Sequence, residues 1–114
     1  MKANDYQTDA QSFAVYPGKE YPFLALSEEV GEVSGKLAKY VRKNKKTLTE
    51  ALDDAQEGSQ LHEDLTGELG GVLWNLSACC SELGINLSDL MADNIKTLEG
   101  RKKRGTIIGS GDNR

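Results

Sequence analysis

The sequence predicts an all-α fold, a helical bundle built from one domain over residues 1–114, with a glycine-rich C-terminal tail at 105–114. Three observations carry this expectation. Only two prolines occur, Pro17 and Pro22, so no proline breaks a helix after residue 22. Apolar residues recur at three- and four-residue spacing through three long stretches. The length of 114 residues fits one domain with one modest core, burying roughly 65% of the unfolded surface.

The elements follow in order. Residues 4–14 (NDYQTDAQSFA) read as a short first helix, and YPGKEYP at 16–22 as a turn. Pro22 suits a helix start. A long helix over 22–43 carries the stripe Leu26, Val30, Val33, Leu37 and Val41, and KNKKT ends it with positive charge, as the macrodipole favours. The acidic, polar stretch 47–60 reads as a loop with one helical turn. A second long helix over 60–83 carries Leu65, Leu69, Val72, Leu73, Leu76, Cys80 and Leu83, and Gly84 has the look of a C-terminal cap. Ser88 is the expected N-cap of a third helix at about 89–103, with the stripe Leu87, Leu90, Met91, Ile95 and Leu98.

Composition excludes several function classes. No apolar run approaches the roughly 20 residues of a membrane span, and the polar start MKANDYQTDAQ does not read as a signal peptide. A net charge of −4 disfavours nucleic acid as a partner. Cys79 and Cys80 are adjacent and cannot staple distant segments, so a reducing, cytoplasmic setting is expected. One His and two Cys are too few for a Cys/His zinc site.

Placed at 100° steps, Glu29, Glu32, Lys36 and Lys39 share one stripe at the edge of the first long helix's apolar face. Asp64, Glu68, Gly71 and Asn75 form the matching stripe on the second. Antiparallel packing lets both stripes border one cleft. Three facing carboxylates repel, and a divalent cation between them removes the repulsion; Mg²⁺ takes such oxygens and keeps waters for a phosphate substrate. Lys36 and Lys39 then lie one and two turns away, in position for phosphate. The bland alternative is a solvated face, because Glu and Lys at four-residue spacing are common surface pairs.

Other residues carry double readings. Asn94 lies on the apolar side of the third helix, where a buried amide needs a partner: a neighbouring helix, or a metal shell or nucleotide. Gly70-Gly71 costs a helix about 1 kcal/mol per glycine, which points to close helix approach, room for a ligand, or drift. Trp74 reads as core or as a platform for a base. Arg101 to Arg104 read as a solvated helix end, a nucleic-acid patch, or part of a tail closing over a nucleotide.

Leu26-Ser-Glu-Glu-Val-Gly-Glu-Val33, followed by Lys36, Lys39 and Arg42, resembles the first motif of MazG-type nucleoside triphosphate pyrophosphohydrolases. Glu68-Leu-Gly-Gly-Val-Leu-Trp-Asn75 resembles their second motif. Leu83-Gly-Ile-Asn-Leu-Ser88, Asn94 and the ending from Arg104 to Arg114 continue the likeness, and Asn4, Tyr6, Gln7 and Tyr21 fit the N-terminal region. The resemblance implies an all-α pyrophosphatase assembling as a homodimer or a dimer of dimers (a homotetramer). It implies Mg²⁺, or Mn²⁺ in its place, held by Glu29, Glu32 and Glu68. The activity implied is hydrolysis of a nucleoside triphosphate to the monophosphate and pyrophosphate, with Glu29 or Glu32 catalytic. Lys36, Lys39, Arg42, Asn94, Arg101 and Arg114 are the nucleotide-binding residues it suggests. A house-cleaning role on (deoxy)nucleotides goes with the family.

The chain departs from the family at Gly71, where relatives carry a metal-binding aspartate, and at Thr97, where they often carry lysine. Asp64 or Asn75, one turn either side of the Glu68–Gly71 segment, or a water is the expected compensation for the first, and Lys96 or Arg101 for the second. Two rival expectations follow: a nucleotide-binding protein with impaired hydrolysis, and a helical interaction module.

Overall fold

The computed structural model describes residues 1–114 and contains five helices and no strand. They are α1 (Ala3–Gln11), α2 (Tyr21–Asn44), α3 (Leu48–Asp54), α4 (Gln60–Glu82) and α5 (Leu87–Arg104). No helix is long and apolar enough to cross a membrane. α2 packs chiefly on α4, α1 bridges α4 and α5, and α3 packs on α2.

Helix ends follow local chemistry with one exception. Pro22 stands in the first turn of α2, where its missing N–H costs nothing, and its ring is fully buried. α2 ends at Lys45 in the left-handed region, and Lys46 N–H returns to Val41 O. Ser59 caps α4 by accepting His62 N–H at 3.1 Å. Gly84, at φ 69°, closes α4 as expected, with Ile85 N–H returning to Cys80 O at 2.8 Å.

The exception is the start of α5. The helix begins at Leu87 with Asn86 as N-cap, two residues before the expected start, and Ser88 is not its cap. The caps come from α1. Gln7 Oε1 accepts Leu87 N–H at 2.7 Å, and Asn4 Oδ1 accepts Ser88 N–H at 3.0 Å. Two of the orphan donors of the first turn are thus satisfied from a distant part of the chain. Gln7 Nε2 also donates to Ile85 O and Ser81 Oγ, so one buried amide ties together α1, the end of α4 and the start of α5.

Residues 47–60 hold more structure than a loop with one turn. Thr47 caps α3 by accepting Glu50 N–H, and Ala51 is completely buried. Tyr40 Oη donates to Asp54 at 2.7 Å, and Lys46 Nζ pairs with the same carboxylate, pinning α3 to the end of α2.

The buried core is made largely of small residues: Ala10, Ala25, Ala51, Ala78, Cys79 and Cys80, with Leu61 and Leu87. Both thiols are free, and burial pushes both above their ordinary pKa. The predicted apolar stripes are only partly covered. Val30, Leu69 and Leu73 are exposed, and on α5 so are Met91 (54%), Ile95 (53%) and Leu98 (39%). The radius of gyration is 17.0 Å, where about 13 Å suits a compact chain of this length.

Candidate metal and phosphate site

α2 and α4 run antiparallel, and the pairing shows in the contacts. Glu29 lies against Gly71, Lys36 reaches Glu68 at 3.8 Å, and Lys43 and Asn44 share a cleft with Gln60 and Leu61. This register brings Glu29, Glu32 and Glu68 together, with one oxygen from each lying within 4.8 Å of the others. Glu29 and Glu68 are half-buried and Glu32 is exposed. Glu68's carboxyl is held above its usual range, first by its hydrogen-bond contact with Glu32, then by partial desolvation and by Glu32's charge; Lys36 opposes this. Such a crowd of oxygens fits a hard divalent cation.

Gly71 makes room for this arrangement. A Cβ at that position would lie 2.8 Å from Glu29 Cδ and closer still to Oε2. The Glu29 carboxylate therefore lies where a residue-71 side chain would begin. Gly70, by contrast, faces open space.

Two clefts continue from the carboxylates along α2. The first, about 310 Å³, is lined by Gly31, Glu32, Gly35, Lys36, Lys39 and Glu68. The second, about 410 Å³, shares Lys36 and Lys39 and adds Lys43, with Asp64 and Gln60 on the opposite wall. Three lysines thus lead away from three carboxylates. A cation and a polyphosphate chain have complementary partners along that path.

No family model and no solved structure matches the chain. The Gene 37 protein of Mycobacterium phage L5 is 32% identical over 123 aligned positions, which span the whole of both chains. The chain belongs to the family of that phage protein.

In this member of the Gene 37 protein family, the expected site residues divide into two groups. Glu29, Glu32, Glu68, Lys36 and Lys39 come together as expected. Arg42 does not join them: the lysine one position on, Lys43, lines the cleft. The spacing contains that signal, since Lys43 stands seven residues, two helical turns, after Lys36.

Asn94, Arg101 and Arg114 lie elsewhere. Asn94 is exposed, not buried, and lines an apolar cleft of about 350 Å³ with Leu73, Leu76, Leu87, Leu90 and Met91. That cleft shares no residue with the carboxylate cleft. Arg114 does not offer its guanidinium to phosphate, because it donates to the carbonyls of Thr106, Gly111 and Ile107. Arg101 donates to Asp112 O. The tail is folded on the end of α5, with Arg104 also bonded to Arg114 O. Trp74 donates its indole N–H to Ala10 O at 3.1 Å and meets Tyr16 edge-on, so it fastens α1 to α4.

Proposed function

We propose that the protein is a Mg²⁺-dependent nucleoside triphosphate pyrophosphohydrolase of MazG type, acting on (deoxy)nucleotides in a cytoplasmic house-cleaning role. The observation that carries this reading is the Glu29–Glu32–Glu68 cluster opening onto Lys36, Lys39 and Lys43. Glu29, Glu32 and Glu68 would hold the cation, Mg²⁺ or Mn²⁺ in its place. When bound, it supplies charge neutralisation for the phosphate oxygens. The lysines hold the polyphosphate by charge-assisted hydrogen bonds. A carboxylate oxygen of Glu32 or Glu29 that the cation leaves free would orient the attacking water and take its proton. The water oxygen bonds to the α-phosphorus, the bond from that phosphorus to the bridging oxygen breaks, and pyrophosphate leaves.

The working unit is a homodimer or homotetramer. Exposed Met91, Ile95 and Leu98 on α5 support this, since a chain so extended buries too little apolar surface by itself.

The test is pyrophosphate release from a panel of ribo- and deoxynucleoside triphosphates, with Mg²⁺ and with EDTA. Metal-dependent release from a subset is expected. No release from any of them would overturn the hydrolase. The Gly71 departure favours a second reading, a nucleotide-binding protein that does not hydrolyse. Calorimetric binding without release would support it.

A further inference from the structure

Asn75 stands one turn after Gly71 on α4 and is only 3% exposed. Its Nδ2 donates to Gly71 O at 3.0 Å. That bond fixes which end of the amide is oxygen, since a carbonyl accepts only from the nitrogen. Oδ1 is buried and has no hydrogen-bond partner. Buried acceptors are nearly always satisfied, so a donor or a cation belongs at this atom. The same amide is bonded to Gly71, whose missing side chain leaves the place that the Glu29 carboxylate takes. Glu68, Gly71 and Asn75 share one stripe of α4, so the orphan oxygen lies on the helix face that borders the acidic cluster.

We propose that Asn75 Oδ1 is the fourth protein oxygen directed at the cation, doing the work of the side chain that Gly71 lacks. The inference rests on the divalent-cation reading of Glu29, Glu32 and Glu68. A neutral amide there gives the site three negative charges instead of four. It also leaves the space beside Gly71 to Glu29.

Mn²⁺ binding followed by electron paramagnetic resonance and calorimetry tests this without any turnover. Asn75→Leu is expected to weaken Mn²⁺ binding at least tenfold while the Tm of the metal-free protein holds, because removal of the buried unpaired acceptor offsets loss of the bond to Gly71 O. Asn75→Asp is expected to tighten binding. A merely structural asparagine would lower Tm in Asn75→Leu and leave Mn²⁺ affinity alone in both variants, and that result overturns the proposal. If Asn75→Leu does not fold, Asn75→Asp decides: tighter binding supports the proposal and unchanged binding overturns it. Glu68→Gln separates the two levels. Mn²⁺ binding lost in Glu68→Gln but unmoved in both Asn75 variants overturns the role of Asn75 alone. Absence of Mn²⁺ binding in the native protein overturns both readings.

Discussion

Gln7 accepts the backbone N–H of Leu87 at 2.7 Å across a separation of 80 residues. A helix N-cap usually sits next to its helix, and here the first helix of the chain supplies the cap for the last. Gln7→Ala removes that acceptor and also the donor to Ile85 O. The expected cost is about 2 kcal/mol, the sum of a lost cap and an orphaned buried carbonyl. Urea denaturation measures it. Asn4→Ala, at an exposed position, should cost about half as much.

Glu32→Gln and Glu68→Gln are each expected to reduce pyrophosphate release by about 100-fold or more, the scale of losing a group that acts on the reacting phosphate. Neither should lower Tm. Each removes one charge from a self-repelling cluster, so the metal-free protein should hold or gain stability. Thermal melts in EDTA check the second half, and unchanged turnover would sink the site.

Gly71→Ala sets helix propensity against site geometry. Alanine in mid-helix is favoured by about 1 kcal/mol over glycine. The new Cβ occupies the place of the Glu29 carboxylate, which can swing aside at little cost because it ends a flexible side chain. The expected result is a higher Tm with weaker Mn²⁺ binding. Equal or tighter binding would show that Glu29 is not a ligand.

The Asp54 cluster gives a pH dependence. Lys46 and then Tyr40 hydrogen-bond Asp54 and hold its carboxyl below the ordinary range. A depressed carboxylate contributes stability that is complete above its unfolded value of about 3.9 and lost as pH falls through the folded value. The same contacts raise Lys46 and Tyr40. Their contribution is complete below their unfolded values and lost as pH rises through the folded ones. Hydrogen exchange at Leu48–Asp54 should therefore accelerate at both extremes, and Asp54→Asn should flatten the acid limb.

Ile95→Glu on the exposed face of α5 tests assembly. If α5 lies between copies, the variant should shift the protein to monomer by light scattering, with α1–α4 still folded by circular dichroism. A native protein that is already monomeric at high concentration would end that reading.

Most of the frame was legible in the sequence. Three-and-four spacing located α2, α4 and α5, and 100° steps brought Glu29, Glu32 and Glu68 to one side because α2 and α4 pack in antiparallel register. The failures share a cause: each hinges on a partner distant in sequence or on one helical step. Ser88 is the residue a local rule selects, but Asn4 and Gln7 reach its turn from the other end of the chain. Arg42 and Lys43 differ by a single step, and only the packed geometry says which faces Asp64. α3 had a readable signal in Thr47-x-x-Glu50, a helix-start pattern whose length of seven residues leaves no periodicity to count. The spacing of Gly71 gave no sign that a glutamate from α2 would fill its place.

The joint between α1 and α5 also orders events in time. A ribosome delivers α1 first, and its docking surface on α4 and α5 last. Gln7 has no partner until residues 81 to 87 emerge, so the first helix waits through most of synthesis with its buried face uncovered. α2, α3 and α4 also contact one another and can pair earlier. Contacts that span nearly the whole chain form slowly, because the loop between them must first be closed. A chain that ends before Ser81 would therefore be unfinished at both ends, its beginning as much as its end.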